Sequence, residues 1–186
     1  MSAPSTPRDP KPTPFPAAAR PDLLGAPVAA AVAAWQGPVP AEELSVIEID
    51  PALADTAAFC ERYGFTLDES ANCVVVAARR GGDTRLAACV VLASTRADVN
   101  GLVRRHLGAR RASFAPLEVA VAASGMEHGG ITPIGLPPDW PLLVDAAVAK
   151  TPRVVVGSGV RRSKLLLPGL AVASLPGAEV LDGLGL

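Results

Sequence analysis

The segment Gly129-Gly130-Ile131-Thr132-Pro133-Ile134-Gly135 carries the most specific chemical pattern in this 186-residue chain. Its paired glycines permit positive φ and let a backbone approach a ligand closely. Pro133 stiffens the loop, and Gly135 permits a second sharp turn. Backbone N–H groups in such a loop can bind a carbonyl or an oxyanion without any side-chain acid; a tight structural connection is the other reading of the same spacing. Side-chain nucleophile machinery is missing. There is no GxSxG elbow, no HExxH, no Walker loop, and no GxGxxG after a first strand. The only histidines are His106 and His128. His106 sits among arginines and reads as a surface residue. His128 precedes the glycine loop, where a substrate contact and an ordinary loop histidine are both open. Cys60, Cys73 and Cys89 lack CxxC or Cys/His zinc spacing. Apolar neighbours make them buried, reduced thiols of a reducing compartment. No metal and no cofactor are expected.

The elements that must hold this loop are legible in the hydrophobic pattern. Seven prolines within residues 1–21 remove donors and fix φ, which predicts a disordered tail; a partner-docking role for that tail is a weaker reading. Residues 22–41 read as an Ala-rich helix ending at Trp35 and a linker, and residues 42–186 as the folded domain. Ser45 to Ile49 alternates as a strand, and as an edge strand it could pair in a dimer. Asp50-Pro51 reads as a cap and first helical position, the helix running to Tyr63 with Gly64 closing it. Cys73–Ala78 and Leu86–Ala93 form two apolar strands joined at Arg79–Thr84, a glycine-containing hairpin turn. Ser94 or Thr95 caps a helix through His106, with Gly108 ending it. A short strand covers 110–114, and Pro116 opens a helix through Ser124. Leu142–Val144 is a strand, Asp145–Lys150 a short helix, and Val154–Val156 a strand entering Gly157-Ser158-Gly159. Leu165–Leu167 adds one more strand; beyond Pro168 the glycines and prolines break the pattern. Strands alternating with helices predict the α/β class, with a mixed central β-sheet and interleaved helices.

Composition sets outer limits. With 49% hydrophobic and 19% charged residues the chain is globular, and its length suits one domain. No apolar stretch is long enough to span a bilayer, and the N-terminus lacks the apolar core of a secretory signal, so a cytoplasmic location is expected. The net charge of −1 conceals an uneven distribution. Residues 71–111 carry eight arginines against Asp83 and Asp98, whereas residues 112–149 carry four acids and no Lys or Arg. A polyanion would therefore meet a local surface rather than a basic protein.

The glycine loop resembles the G-G-x-[ST]-P-x-G loop of the YbaK/prolyl-tRNA-synthetase associated domain family. The hairpin 72–93 is similar to that family's paired central strands. Thr95 to Val99, followed by Gly108-Ala109-Arg110-Arg111-Ala112, resembles its "D-L-K-K-L … L-G-A-K-R" segment. Leu143-Val144-Asp145 and Val155-Val156-Gly157-Ser158-Gly159 are similar to its strand-then-Asp step and its glycine turn. The match covers about residues 42–182. The resemblance implies a trans-editing enzyme that hydrolyses the ester joining a wrong amino acid to the 3′-terminal ribose of a tRNA. Such enzymes use no metal and no protein nucleophile: loop amides hold the aminoacyl carbonyl, and the ribose hydroxyl helps to activate water. Carried over residue by residue, it implies catalytic roles for Asn72, Gly130, Thr132 and Gly135. Substrate contacts would come from Cys73, Gly129, Ile131, Pro133, Asp145, Gly157, Ser158 and Gly159. The tRNA would meet Arg79, Arg80, Arg104, Arg105, Arg110 and Arg111, with Arg161, Arg162 and Lys164 as additions.

One departure stands out. The family pattern Ala-Lys-Thr reads Ala71-Asn72-Cys73 here, so an uncharged amide replaces the pocket lysine. Asn offers donors and an acceptor but cannot neutralise an oxyanion as an ammonium does. Two functions follow: a deacylase of mischarged tRNA, or a non-catalytic module that binds an aminoacyl-tRNA end or small ligand. The expected partners are the mischarged tRNA acceptor end and, as a further candidate, an aminoacyl-tRNA synthetase, for a monomer or homodimer.

Overall fold

The structure, a computed structural model, describes residues 9–186. The part of the expected tail at residues 1–8 lies outside the described residues. In chain order the elements are β1 (Phe15–Pro16), α1 (Ala26–Ala33), β2 (Ser45–Glu48), α2 (Thr56–Tyr63), β3 (Ala71–Arg80) and β4 (Asp83–Leu92). Then follow a π-helical turn (Val99–Val103), α3 (Arg104–His106), β5 (Arg111–Phe114), α4 (Leu117–Ser124) and β6 (Leu142–Asp145). The chain ends with α5 (Ala146–Lys150), β7 (Val154–Gly157), β8 (Ser163–Leu167), α6 (Gly169–Ala173) and β9 (Ala178–Leu181).

The expected mixed sheet is five-stranded, ordered β5-β3-β4-β6-β9. The β3–β4 hairpin and β5 pair antiparallel, while β6 and β9 add in parallel through α5 and α6. A second, antiparallel sheet stands beside it, ordered β1-β2-β8-β7. The two meet at the foot of β3, where Ser70 bridges Val155. β3 and β4 are buried from Val75 to Ala78 and from Ala87 to Val91, as their apolar runs require. Short side chains such as Ala88, Val90, Val144, Val156 and Leu165 join the two sheets in one core cluster.

Several expectations are corrected. From residue 9 onward the proline-rich segment is not a free tail. Asp9 pairs with Arg62 at 2.7 Å, the Lys11 ammonium lies 4.4 Å from the Phe65 ring centroid, and Phe15–Pro16 adds a strand to β2. Ala17, Leu23, Leu24, Val28 and Val32 are buried in the main core, so the segment before residue 42 is part of the folded body. Proline forbids a central strand, but β1 is an edge strand, where a missing donor costs little. β8 pairs along one edge of β2, and β1 covers the Ser45–Val46 part of the other. The helix expected from Thr95 begins at Val99 instead. The Asp98 carboxylate accepts from the Gly101 and Leu102 amides at 2.9 and 2.7 Å and takes the capping role. α6 and β9 form in the stretch where glycines and prolines had hidden them.

Candidate active site

Three local structures converge where the sheets meet. The first is the start of β3. β5 pairs only with Val76 to Arg79, so among the described residues no strand pairs with residues 72–74 on the side away from β4. The second is α2 and the turn before it. Asp55 caps the helix by accepting from Ala57 N at 3.0 Å, which fixes Ala54, Asp55 and Thr56 at the pocket wall. The third is the glycine loop, held by β7 and the turn after it. Gly159 N donates to the Gly130 carbonyl at 2.7 Å, Gly130 N to Glu127 O at 2.9 Å, and the Arg161 side chain to the carbonyls of His128 (3.1 Å) and Pro51 (3.0 Å). Gly157 packs so closely beneath the loop that a Cβ there would sit 2.6 Å from the Ile131 carbonyl oxygen and nearer still to that of Gly130.

Between them lies an open cavity of about 340 Å³. Its walls are small or apolar: Ala54, Ala71, Ala115 and Ala120, with Phe114 and Leu117 exposed at the rim. Its polar groups are few. The Asn72 Oδ1 accepts from Thr56 Oγ1 at 2.8 Å, which leaves the Asn72 amide protons for the cavity. His128 stands on the exposed side.

Lys164, on β8, also lines this cavity and is only 6% exposed. Its Nζ donates to the Ala54 carbonyl at 2.7 Å and lies 5.8 Å from the Phe59 ring centroid. No other hydrogen bond from this ammonium occurs among the described residues, so two protons remain without an acceptor. Burial pulls its pKa down to about 8, against the opposing pull of the nearby Asp55 carboxylate. The family motif places no lysine here, and of the chain's three lysines Lys164 reaches the pocket only through the fold. Strand β8 brings one in by pairing Lys164 with Gly157 across the sheet. Asp55 and Thr56 are polar pocket residues that motif reading does not assign, and Lys164, named there only as an addition to the tRNA contacts, lies in the pocket instead; all three sit outside the glycine and hairpin motifs.

Of the residues singled out by resemblance, the structure brings Asn72, Cys73, Gly129, Ile131 and Gly157 to this cavity. Gly130 lies just behind it, where a Cβ would meet the Val160 backbone at 2.7 Å. The others are elsewhere. Thr132 is fully buried; its amide donates to Met126 Sδ at 3.5 Å and its hydroxyl has no partner among the described residues. Pro133 and Gly135 line a separate apolar cavity of about 430 Å³ with Trp35 and Trp140. Gly135 adopts φ +83° because the Pro27 and Val28 backbone lies against it. Asp145 caps α5 through Ala147 N (2.7 Å) and accepts from Gly185 N (2.6 Å). Ser158 bonds Ser163 Oγ at 2.7 Å inside the turn, and Gly159 packs on Gly25. The loop reaches the cavity only through Gly129 and Ile131, while Gly130 and Thr132 to Ile134 are buried on its other side. Among the added cations, Arg161 is spent on the two carbonyls and Arg162 on the Asp22 carbonyl.

The arginines gather at the far end of the hairpin. Arg79 and Arg111 are directly opposed on β3 and β5, with Arg80, Arg85 and Arg110 nearby; these five and Arg105, on α3, are exposed. None of these six makes an ion pair among the described residues. Arg104 donates to the Asn100 carbonyl at 2.9 Å. His106 pairs with Glu179 at 2.9 Å.

A two-sheet α/β fold thus carries a small-walled pocket with the glycine loop pressed against a neighbouring strand. Residues 50–175 match the aminoacyl-tRNA editing domain model, and the chain belongs to that family. It is similar to a solved structure provisionally described as a trans-editing enzyme for prolyl-tRNA synthetase (21% identity, 76% of this chain and 86% of that one, TM-score 0.65). It is also similar to a hypothetical protein (21% identity, 74% and 88%, TM-score 0.66) and to a scaffold from computational epitope grafting (20% identity, 85% and 95%, TM-score 0.70). These likenesses concern the fold. No curated protein sequence matches the chain at a significant level. No helix among the described residues is long and apolar enough to cross a membrane.

Proposed function

We propose that this protein is a cytoplasmic aminoacyl-tRNA deacylase that clears mischarged tRNA in trans. The supporting observation is the pocket at the foot of β3, which combines free amide protons of Asn72 with the glycine loop and walls of alanine and glycine. Such walls accept a small aminoacyl side chain and exclude a large one by shape, although one methylene changes the rate only about 10- to 200-fold. In the reaction, water adds to the ester carbonyl carbon. The bond to the ribose 3′-oxygen breaks, and that oxygen takes a proton. Free amino acid and tRNA with its 3′-hydroxyl result. Asn72 orients the carbonyl or a ribose hydroxyl, and no protein nucleophile is required.

The test is a deacylation time course with a panel of mischarged tRNAs carrying small amino acids, run beside Asn72→Ala. Hydrolysis by the parent and a loss on the order of 10²-fold or more in the variant is the expected result, in line with removal of a transition-state donor. A panel left intact by micromolar parent protein would defeat the reading and leave the binding module as the alternative.

The arginine end of the hairpin is assigned to the acceptor-stem backbone. Arg79 and Arg111 are opposed across the strands in a cleft that holds four arginines against Asp83, an excess of positive charge that suits a phosphate backbone. At about 3.3 Å per residue, Arg79 lies roughly 23 Å along β3 from Asn72, so the arginines meet phosphates away from the ester. Arg79→Ala/Arg111→Ala is therefore expected to weaken binding of an RNA minihelix and flatten its salt dependence by up to about two charges. Hydrolysis of an aminoacyl-adenosine fragment should be unchanged. Equal salt slopes for parent and variant would remove this assignment.

A further inference from the structure

We infer that Lys164 supplies the cationic contact of this pocket, reaching the aminoacyl ester from β8 rather than from the start of β3. This inference rests on reading the site as one that binds an aminoacyl-tRNA end. The sequence replaces the expected lysine with Asn72, and on motif alone the pocket is uncharged. The fold changes that conclusion. Pairing of β8 with β7 sets Lys164 opposite Gly157, the residue beneath the glycine loop, and the side chain enters the same cavity that Asn72 lines. Phe59 lies along its path and the Ala54 carbonyl holds one proton, so the ammonium is positioned rather than mobile. Its two remaining protons have no acceptor among the described residues.

A buried lysine with an incomplete set of partners is costly unless something completes it. The charged groups around it do not neutralise it fully. Asp55 faces it from the cap of α2, but the Asp55 carboxylate already accepts from Ala57 N. Cys60, also from α2, is a thiol that burial keeps protonated; Arg161, from the turn after β7, repels it; His128 stands at the open side. The missing acceptor is an oxygen that enters the cavity. In ester hydrolysis the carbonyl oxygen gains negative charge as water adds to the carbon, and a largely buried ammonium at the cavity wall stabilises that charge. Lys164 and Asn72 then divide the work. The lysine meets the developing oxyanion, and the amide of Asn72, tied to Thr56, orients the ribose.

The test uses Lys164→Met and Lys164→Arg in full-length protein. Single-turnover hydrolysis of a mischarged tRNA is followed from pH 6 to 10. The methionine variant should lose 10²-fold or more of the rate at pH 7 and also lose the inflection near pH 8. The arginine variant should recover part of the rate and hold it above pH 8. A second measurement does not depend on turnover. The chain contains only three lysines, Lys11, Lys150 and Lys164, so their side-chain carbon NMR signals are few, and the signal missing in Lys164→Met assigns Lys164. Adenosine bearing an amino acid through a non-hydrolysable 3′-amide should shift that signal alone. If Lys164→Met hydrolyses the ester as fast as the parent with the same pH profile, the inference is overturned while the deacylase reading stands. If the parent hydrolyses no ester, the deacylase reading fails and the NMR result decides Lys164: a shift keeps it as the ligand contact, no shift removes it.

Discussion

Alanine at position 157 should cost at least about 2 kcal/mol of stability and on the order of 10²-fold in deacylation. Gly157 is the last residue of β7, and the glycine loop rests directly on it. A Cβ there would lie 2.6 Å from the Ile131 carbonyl oxygen, closer to that of Gly130, and 2.9 Å from the Gly130 carbonyl carbon. These are backbone atoms, which cannot rotate away as a flexible side chain would. Either the loop lifts or β7 retreats. Inserting one methyl into such a contact typically costs about 1–3 kcal/mol. Lifting the loop also breaks the 2.7 Å bond from Gly159 N to the Gly130 carbonyl. A shift of about 1 Å in a group that positions substrate can cost 10²-fold in rate. Because Gly157 pairs with Lys164, a retreat of β7 would disturb the lysine as well. Urea denaturation and single-turnover kinetics on Gly157→Ala measure the two effects. A variant as stable and as active as the parent would show that the loop is not seated on β7.

The second large effect is a pH dependence of stability that belongs to Lys164. Its folded pKa of about 8 lies below the ordinary 10.5. Below pH 8 both folded and unfolded chains carry the proton, and the folded protein bears the full penalty of the buried charge. Between pH 8 and 10.5 the unfolded chain holds a proton that the folded one has released, so stability rises with pH. The whole gain is about 3 kcal/mol. Other groups oppose it. Burial raises the thiols of Cys60, Cys73 and Cys89, that of Cys89 to about 12. Their unfolded forms lose protons near pH 9 while the folded forms do not, so they remove stability as pH rises. The comparison that isolates the lysine is the parent against Lys164→Met. The unpaired Ala54 carbonyl costs the variant the same at every pH and drops out of the comparison. Relative to the parent, the variant should be more favoured at pH 7 than at pH 10.5 by about 3 kcal/mol, measured by urea melts at both pH values. Parallel stability curves would mean that the ammonium is solvated. A lysine kept buried against its own stability cost is what a pocket contact requires, and Lys164→Met should then gain stability at neutral pH as it loses activity.

Much of this protein was readable before any coordinates. The β-rich runs at 45–49, 73–78, 86–93 and 142–144 all became strands, because alternation and β-branching report a local preference. Asp55 was hidden within a longer expected helix, yet Gly64 ended it as expected, since only a residue at φ +71° without a Cβ closes that turn cheaply. The family was legible from the order of the glycine loop and its flanking elements. Boundaries set by single caps, such as Asp98 against Thr95, were not, because several residues compete for one cap and packing chooses among them.

By itself the sequence determined the α/β class, the hairpin, the glycine loop and the absence of a side-chain triad. The class, the hairpin and the loop depend on residues close together in the chain, and the lack of a triad candidate follows from an inventory with two histidines and no nucleophile motif. Tertiary structure alone decided which side of the loop faces the pocket, sending Thr132 into the core and Gly129 and Ile131 to the cavity. It also decided that Ala17, Leu23, Leu24, Val28 and Val32 belong to the core, and that Lys164 lines the same cavity as Asn72. The reason is the same in each case. Side-chain direction on a loop and contact between distant strands follow from how two sheets pack, and neither is set by the identity of neighbouring residues.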